Sequence, residues 1–273
     1  MNYKKFYFAY SRNGITGLLN VLFGKLGLKF RIKSALDLRI KWIGDYIKRS
    51  TNNIVCSGLY KGMKIDESYF WSQKDISSKL LGLYETEVQN MIIKSQNENK
   101  KKYLINLGGG DGYHLVGLLK SNIFEKSIVF ETDEIGRKII DKNLKINEQD
   151  HKVKILGEAN QTSLINGLEN FNLKDYFFLI DIEGHEYDIL NDNILKKLSK
   201  SVLLIELHKS NEESLKLIKS LEEIYNINKF STQARDLSKF KFLNILEDND
   251  RWLSVSEHRS NMMFWLICTP KTN

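Results

Sequence analysis

An apolar run that breaks into a glycine-rich loop constrains the fold of this chain more than any other feature. Residues Tyr103 to Gly112 read Y-L-I-N-L-G-G-G-D-G, so strand-type residues lead directly into a loop where Gly108, Gly110 and Gly112 alternate. Glycine accepts positive φ angles and lets a backbone approach a ligand closely. The loop therefore predicts a cradle for a nucleotide-like molecule.

An acidic residue at the end of the next predicted strand strengthens this prediction. Glu131 follows the apolar segment Ser127 to Phe130, 19 residues beyond Gly112. A carboxylate at about this distance from a glycine loop accepts hydrogen bonds from ribose hydroxyls. The loop and the acid together are more specific than the loop alone.

Length and composition favour a folded protein of one α/β domain with an extension. The chain has 273 residues, of which 42% are hydrophobic and 27% charged, and this balance argues against disorder. Its two cysteines, Cys56 and Cys268, supply neither a disulfide framework nor metal-site spacing, which favours a reducing, cytoplasmic setting. No membrane-spanning segment is expected, because Lys25 and Lys29 interrupt the best apolar stretch.

The basic N-terminal region leaves two interpretations open. The net charge is +7, and much of the excess lies in the first 50 residues, interleaved with apolar side chains. This pattern is compatible with peripheral contact to an anionic membrane, although helices that pack one face and solvate their lysines are the favoured interpretation. Nucleic acid is not expected as the main partner, and a homo-oligomer with contacts through this region remains open.

Alternating strand and helix patterns predict a Rossmann-like, doubly wound, mostly parallel sheet. Domain boundaries are predicted at 1–75 for an extension of helices and short strands, the strands between 54 and 71, and at 76–273 for the α/β domain. The strands are predicted at 103–107, 127–131, 153–156, 176–181, 201–207, 225–231 and 261–268. The helices are predicted at 77–95, 113–121, 134–146, 186–198 and 212–225.

The last strand is predicted to close the sheet in the antiparallel direction. No clear helix precedes it, and the segment Phe240 to Val255 has a mixed pattern. An antiparallel strand would begin at the edge where the parallel strands end, and would bring Glu257, His258 and Arg259 beside the ligand crevice.

A second concentration of polar residues follows the fourth predicted strand. Phe177 to Leu190 reads F-F-L-I-D-I-E-G-H-E-Y-D-I-L, and the next strand ends in Glu206 and His208. The carboxyl ends of parallel strands are where α/β proteins place their ligands. The sequence therefore predicts a site that includes Asp181.

These segments resemble the FkbM-type methyltransferases, which are S-adenosylmethionine-dependent enzymes of the class I fold. The resemblance spans roughly residues 76 to 268. It depends on D-I-E-G-H-E-Y-D-I-L at 181–190, I-E-L-H at 205–208, N-L-G-G-G-D-G at 106–112, L-L-G-L-Y-E at 80–85 and S-E-H-R at 256–259. In one departure, Asn106 stands where class I enzymes commonly carry an acidic residue that anchors the cofactor's amino group through water.

The resemblance implies a role for each part of the site. The cofactor S-adenosylmethionine would be lined by Asn106 and the three alternating glycines, its ribose would bind Glu131, and its adenine would lie near Glu158 and Ala159. Asp181 would face the sulfonium and the acceptor. The family is associated with O-methylation of sugars and related natural-product hydroxyls, which implies a small-molecule or glycan acceptor.

Two chemical routes are open for activating the acceptor hydroxyl. The candidates for a general base are His208, His185 and Asp181, because such a group must titrate usefully and reach the acceptor. Alternatively, Asp181, Glu206 and His208 form an oxygen and nitrogen ligand set for Mg²⁺ or Mn²⁺, which would lower the acceptor's pKa directly.

Two other functions compete with methyl transfer. A nicotinamide-dependent oxidoreductase also uses a glycine loop and an acid, but the third glycine of the G-x-G-x-x-G pattern is missing here. A non-catalytic nucleic-acid-binding module would use the basic N-terminus and would bind in a salt-dependent manner.

Overall fold

Seven strands form one mixed sheet at the centre of the protein. The structure, a computed structural model, describes residues 3–28, 32–66, 74–168, 172–208, 212–259 and 261–271. The strands are β1 (Tyr103–Leu107), β2 (Lys126–Phe130), β3 (Val153–Leu156), β4 (Tyr176–Ile180), β5 (Val202–Leu207), β6 (Tyr225–Ser231) and β7 (Phe264–Pro270). Their spatial order is β3-β2-β1-β4-β5-β7-β6, with β7 antiparallel to both of its neighbours. The predicted fold class is thereby confirmed.

Helices cover both faces of this sheet and form the N-terminal extension. They are α1 (Tyr3–Lys25, with non-helical φ and ψ at Gly14), α2 (Ala35–Thr51), α3 (Ile76–Leu81), α4 (Thr86–Asn99), α5 (Tyr113–Lys120), α6 (Glu134–Ile146), α7 (Gln161–Leu168), α8 (Glu186–Ile189), α9 (Asp192–Leu198), α10 (Glu212–Ile224) and α11 (Asp248–Val255). Short 3₁₀ turns precede β3, β4 and α11.

The central strands are apolar because both of their faces are buried. In β4, Phe177 and Leu179 pack in one hydrophobic cluster with α4 and α5, while Phe178 and Ile180 pack in another with α8, α9 and α10. Every residue of β4 and β5 is buried. This is the pattern expected of parallel strands with helices on both sides.

Three helical predictions differ from the structure. The helix predicted at 77–95 is two helices, α3 and α4, because α3 ends at Gly82, whose φ is 72°. The helix predicted at 186–198 is two helices, because the side chain of Asn191 accepts hydrogen bonds from the backbone N–H groups of Asn193 and Ile194 and starts α9. The segment before the last strand contains α11, which the mixed pattern did not reveal. The buried residues of α11 include Asp250 and Ser254, so it lacks a plain apolar stripe.

The short strands predicted between 54 and 71 are wrong for the described part of that segment. Only a single bridge, between Ile54 and Lys64, occurs among residues 54–66, and residues 67–73 lie outside the described residues. Backbone hydrogen bonds close this segment into a narrow turn: the N–H of Val55 donates to the carbonyl of Met63, and that of Gly62 to the carbonyl of Val55, each at 2.8 Å. Asn147, which follows α6, bonds the backbone N–H of Lys64 at 2.9 Å and its carbonyl at 2.8 Å. The backbone pairing is therefore too short to form strands.

Part of the N-terminal extension shares a hydrophobic cluster with later segments. Ile43 and Ile47 of α2 pack with Leu80 of α3 and with Val255 of α11.

The boundary at residue 75 stays a prediction, as does peripheral membrane contact. Among the described residues, none of the helices combines the length and apolarity needed to cross a bilayer.

Parallel pairing brings the ends of the central strands to one edge of the sheet. Leu107 at the end of β1 is in register with both Phe130 of β2 and Ile180 of β4. Phe264, the first residue of antiparallel β7, pairs with Leu207 at the end of β5. We call this edge the rim; the residues that directly follow β1, β2, β4 and β5 all lie there.

Gly108 is required by a close approach of two loops at the rim. Its φ is 83°, and its backbone N–H donates to the carbonyl of Phe130 at 3.0 Å. A Cβ atom at this position would lie 1.6 Å from the carbonyl oxygen of Asp181. The glycine therefore allows the β1 loop to pack directly against the β4 loop.

Replacing Gly108 with alanine is expected to destabilise the protein strongly. The Cβ must displace backbone rather than a flexible side chain, so we expect Gly108→Ala to lower the free energy of unfolding by about 3 kcal/mol or more. Gly157→Ala is the matched control, because a Cβ there would meet nothing within 4 Å. Urea unfolding measures both variants, and equal midpoints would contradict this account of the rim.

Candidate active site

A cavity of about 840 Å³ opens at the rim, above the ends of β1, β2 and β4. Most of the residues predicted to bind the cofactor line it. They are Asn106, Gly108, Gly110, Glu131, Glu158, Ala159 and Asp181, joined by His185. Glu206 and His208 lie behind Asp181 and are not part of the lining.

Gly112 does not line this cavity, in contrast to the role predicted for it. It precedes α5 with a φ of 82°, and a Cβ there would lie 3.4 Å from Ile140 and 3.5 Å from Val116. Its positive φ turns the chain from the glycine loop into the helix. Gly112 therefore affects the shape of the loop without facing the cavity.

Glu131 fastens the glycine loop to the end of β2. Its carboxylate accepts hydrogen bonds from the backbone N–H of Gly110 at 2.8 Å and of Asp133 at 2.9 Å. The residue is buried yet lines the cavity. Each carboxylate oxygen has a second acceptor position, so Glu131 can still bind hydroxyl groups of a ligand.

The neutral side chain of Asn106 forms hydrogen bonds beneath the glycine loop. Its side-chain N–H₂ group donates to the carbonyl oxygens of Gly108 at 3.2 Å and Leu179 at 3.4 Å. The amide thereby joins β4 to the glycine loop. It brings no charge to this part of the cavity.

His208 stands at the centre of a group of carboxylates behind the cavity wall. Its Nε2 lies 3.2 Å from Asp181 Oδ1, 3.4 Å from Glu206 Oε2 and 3.6 Å from Glu183 Oε2. Ligand atoms of Asp181, Glu206 and His208 all lie within 4.8 Å of one another. The structure thus brings together the three residues predicted to bind a metal.

Glu186 fixes the orientation of this imidazole from the opposite side. Its Oε1 lies 3.3 Å from His208 Nδ1 and accepts the backbone N–H of His208 at 3.2 Å. Glu186 is fully buried, although it lies in the first turn of α8. With Nδ1 directed at Glu186, Nε2 is the ring nitrogen that faces Asp181 and Glu206.

The charges of this group determine its protonation. Burial by itself would lower the pKa of His208, but hydrogen bonds to Asp181, Glu186 and Glu206 outweigh it and raise the pKa to about 12. The same bond to His208 lowers the pKa of Asp181 despite burial. With no metal bound, His208 is an imidazolium at neutral pH and cannot accept a proton from an acceptor.

Arg259 ties the segment before β7 to this group. Its guanidinium contacts the carboxylates of Glu206 and Glu85, and its Nε donates to Glu257 at 2.9 Å. The other oxygen of Glu257 accepts from Arg235 at 2.7 Å. Arg259 thereby contacts Glu85, which lines the cavity, but none of Glu257, His258 and Arg259, which were predicted to lie beside the crevice, is part of the lining.

His185 lies apart from the His208 group. Its side chain is 76% exposed, and its nearest charged partner is Asp188, at 3.8 Å. It lines the outer part of the cavity, at the start of α8. An exposed imidazole there is held by few contacts, so the structure supports it less than His208 as part of an ordered site.

Sequence reasoning missed a charged cluster on the other side of the glycine loop. Lys79 of α3 donates to Asp111 Oδ2 at 2.6 Å and lies 2.8 Å from Asp75 Oδ2, and all three residues line the cavity. Asp111 belongs to the G-G-G-D-G loop, but its partner is 32 residues earlier in the chain. No spacing rule connects two such positions.

His114 also lines the cavity. Its Nε2 lies 2.7 Å from Glu85 Oε2 and its Nδ1 2.9 Å from the hydroxyl of Tyr60. Burial lowers the pKa of His114 to about 4, so the ring is neutral. A neutral ring with its proton on Nε2 satisfies both contacts, because the tyrosine hydroxyl then donates to Nδ1.

Comparison with known proteins shows the fold. No protein-family model matches the sequence, and no curated protein does so either. The N-terminal domain of human METTL16 in complex with SAH is similar to this chain with a TM-score of 0.50 and 14% identity, over 86% of this chain and 82% of that one. This likeness identifies the Rossmann-like architecture that methyltransferases use.

Two further solved structures have lower scores. Precorrin-6y C5,15-methyltransferase from Geobacter metallireducens GS-15 has a TM-score of 0.48 and 15% identity, over 77% of this chain and 97% of that one. The O-methyltransferase from Bacillus cereus in complex with SAH has a TM-score of 0.46 and 10% identity, over 93% and 97%. The FkbM-type resemblance stays a prediction.

Proposed function

We propose that the protein is an S-adenosylmethionine-dependent methyltransferase. The strand order carries the proposal, together with the carboxylate at the end of β2. Dinucleotide-binding folds have the parallel order 3-2-1-4-5-6, whereas here antiparallel β7 lies between β5 and β6. This difference disfavours the nicotinamide-dependent alternative, as does the missing third glycine. The similar fold of a domain solved with SAH, S-adenosylhomocysteine, agrees with the proposal.

The residues of the rim fit this cofactor in the order of the strands. Glu158 and Ala159 follow β3, where the adenine would lie, and Glu131 at the end of β2 offers acceptor atoms to the ribose diol. Asp181 at the end of β4 would face the sulfonium, whose positive charge a nearby carboxylate favours. When bound, S-adenosylmethionine supplies an electrophilic methyl group.

The acceptor is proposed to be a hydroxyl of a sugar, a glycan or a related natural product. Support comes from the FkbM-type motif at 181–190 and from the polar side chains that line the cavity around Asp181. The protein's part in such a reaction is to align the acceptor oxygen with the methyl group, exclude water and take up a proton.

Of the two routes for activating the acceptor, the geometry favours a divalent metal. Ligands that bind next to each other on an octahedral cation at about 2.1 Å lie about 3 Å apart, and His208 Nε2 is 3.2 and 3.4 Å from the nearest oxygens of Asp181 and Glu206. Metal-binding histidines commonly direct their other nitrogen to a carboxylate, as His208 does to Glu186. Such a cation supplies Lewis acidity that lowers the pKa of a hydroxyl bound to it.

Cofactor binding tests the proposal directly. We expect S-adenosylhomocysteine to bind saturably in isothermal titration calorimetry, and Glu131→Gln to weaken it about tenfold because the amide replaces an acceptor of the ribose hydroxyls. Glu134→Gln is the control, because Glu134 is 70% exposed and pairs with Lys138 on α6. Saturable binding of NADH with no binding of S-adenosylhomocysteine would reject the proposal.

Metal binding distinguishes the two routes. We expect Mn²⁺ to bind the purified protein, and His208→Gln to reduce the affinity by roughly 10- to 100-fold or more, because a ligand is lost. His185→Gln should bind Mn²⁺ as the unaltered protein does, since its imidazole lies outside the ligand set. Titration followed by electron paramagnetic resonance measures both. If a chelator does not change the rate of methyl transfer, the reaction does not use a metal, and Asp181 remains as the candidate general base.

A further inference from the structure

The charged cluster of Lys79, Asp75 and Asp111 has no role in the function proposed so far. It lines the cavity on the side of β1 that faces α3, across the glycine loop from Glu131. Lys79 is buried, and its ammonium lies 4.9 Å from the ring centre of Tyr84 and 5.7 Å from that of Tyr113. Burying a lysine ammonium destabilises a protein unless the charge is paired. The two aspartates provide that pairing for Lys79.

The cluster presents both signs of charge to the cavity. The carboxylates beside Lys79 raise its pKa against the effect of burial, and Lys79 in turn lowers the pKa of Asp111, so both groups stay charged at neutral pH. A lysine ammonium has three N–H donors, and here Asp75 and Asp111 engage two of them. Among the described residues, the third donor has no hydrogen-bond partner, although the ring of Tyr84 lies over the ammonium. Two carboxylates and one ammonium give the cluster a net charge of −1.

This combination matches a zwitterion. A free amino acid group carries a carboxylate, which would accept from the remaining donor of Lys79, and an ammonium, which the excess negative charge beside it would attract. The strand order indicates where such a group would bind. A cofactor whose adenine lies at β3 and whose ribose lies at β2 would place its amino acid part over β1, where this cluster lies.

We infer that Lys79 and the two aspartates receive the amino acid end of S-adenosylmethionine. The inference rests on the proposed function and adds residues to the cofactor site that no sequence motif predicted. It also accounts for Asn106, which is neutral and engaged with the carbonyls of Gly108 and Leu179. The charge that an acid at position 106 would supply to the cofactor comes instead from the aspartates on Lys79.

A comparison of two ligands tests this inference without relying on one variant alone. Isothermal titration calorimetry would measure S-adenosylhomocysteine and its decarboxylated analogue, in which hydrogen replaces the carboxylate. The unaltered protein should bind the analogue about tenfold or more weakly, because a charge-assisted hydrogen bond is lost. In Lys79→Met the two ligands should bind within about threefold of each other, because the partner of the carboxylate is gone.

The control is Lys145→Met, which removes an exposed lysine that is also paired with an aspartate, Asp141 at 2.7 Å. It should retain the full preference for the carboxylate. If the unaltered protein binds both ligands equally, or if Lys79→Met keeps the preference, the inference is overturned and the proposed function stands. If the unaltered protein binds neither ligand, the proposed function itself fails. Should Lys79→Met not fold, equal binding of the two ligands by the unaltered protein would still overturn the inference.

Discussion

The rim depends on one constraint: β1 pairs in parallel and in register with β2 on one side and β4 on the other. Leu107 has Phe130 and Ile180 as its two partners, so the residues that follow these strands leave the sheet at the same level. Gly108, Glu131 and Asp181 are those residues, and the missing Cβ of Gly108 lets the loops touch. Side chains far apart in sequence thereby line one cavity.

Buried charge is the second organising feature, and it forms two regions, one lining the cavity and the other behind its wall. Near β1, Lys79 is compensated by Asp75 and Asp111. Behind β4 and β5, His208 is surrounded by carboxylates and Arg259 contacts Glu206. Breaking one partner of a buried pair leaves an uncompensated charge, so each region is held in a defined arrangement. We propose that the first region binds the cofactor's amino acid group and the second a divalent metal.

The sequence predicted most of the sheet and one part of the site for identifiable physical reasons. The bounds of β1, β3, β6 and α6 agree with the predictions, because apolar runs and the cap at Asp133 are local signals. Asp181, Glu206 and His208 could be grouped because strand ends share an edge. The form of 54–66 could not be predicted from the sequence, since it depends on a short hydrogen-bonded turn, in which Val55 bonds Met63, and on side-chain bonds from Asn143 in α6 and Asn147 after it. Lys79 was missed for the same reason: its partner Asp111 is distant in sequence.

The most direct test of the account is a crystal structure of the protein with S-adenosylhomocysteine and Mn²⁺, with anomalous data for the metal. We expect the adenine beside Glu158, the ribose on Glu131 and the amino acid group next to Lys79. An anomalous peak should lie between His208 Nε2 and the carboxylates of Asp181 and Glu206. A ligand bound outside the rim, or one whose adenine lies over β4 and β5, would contradict the account.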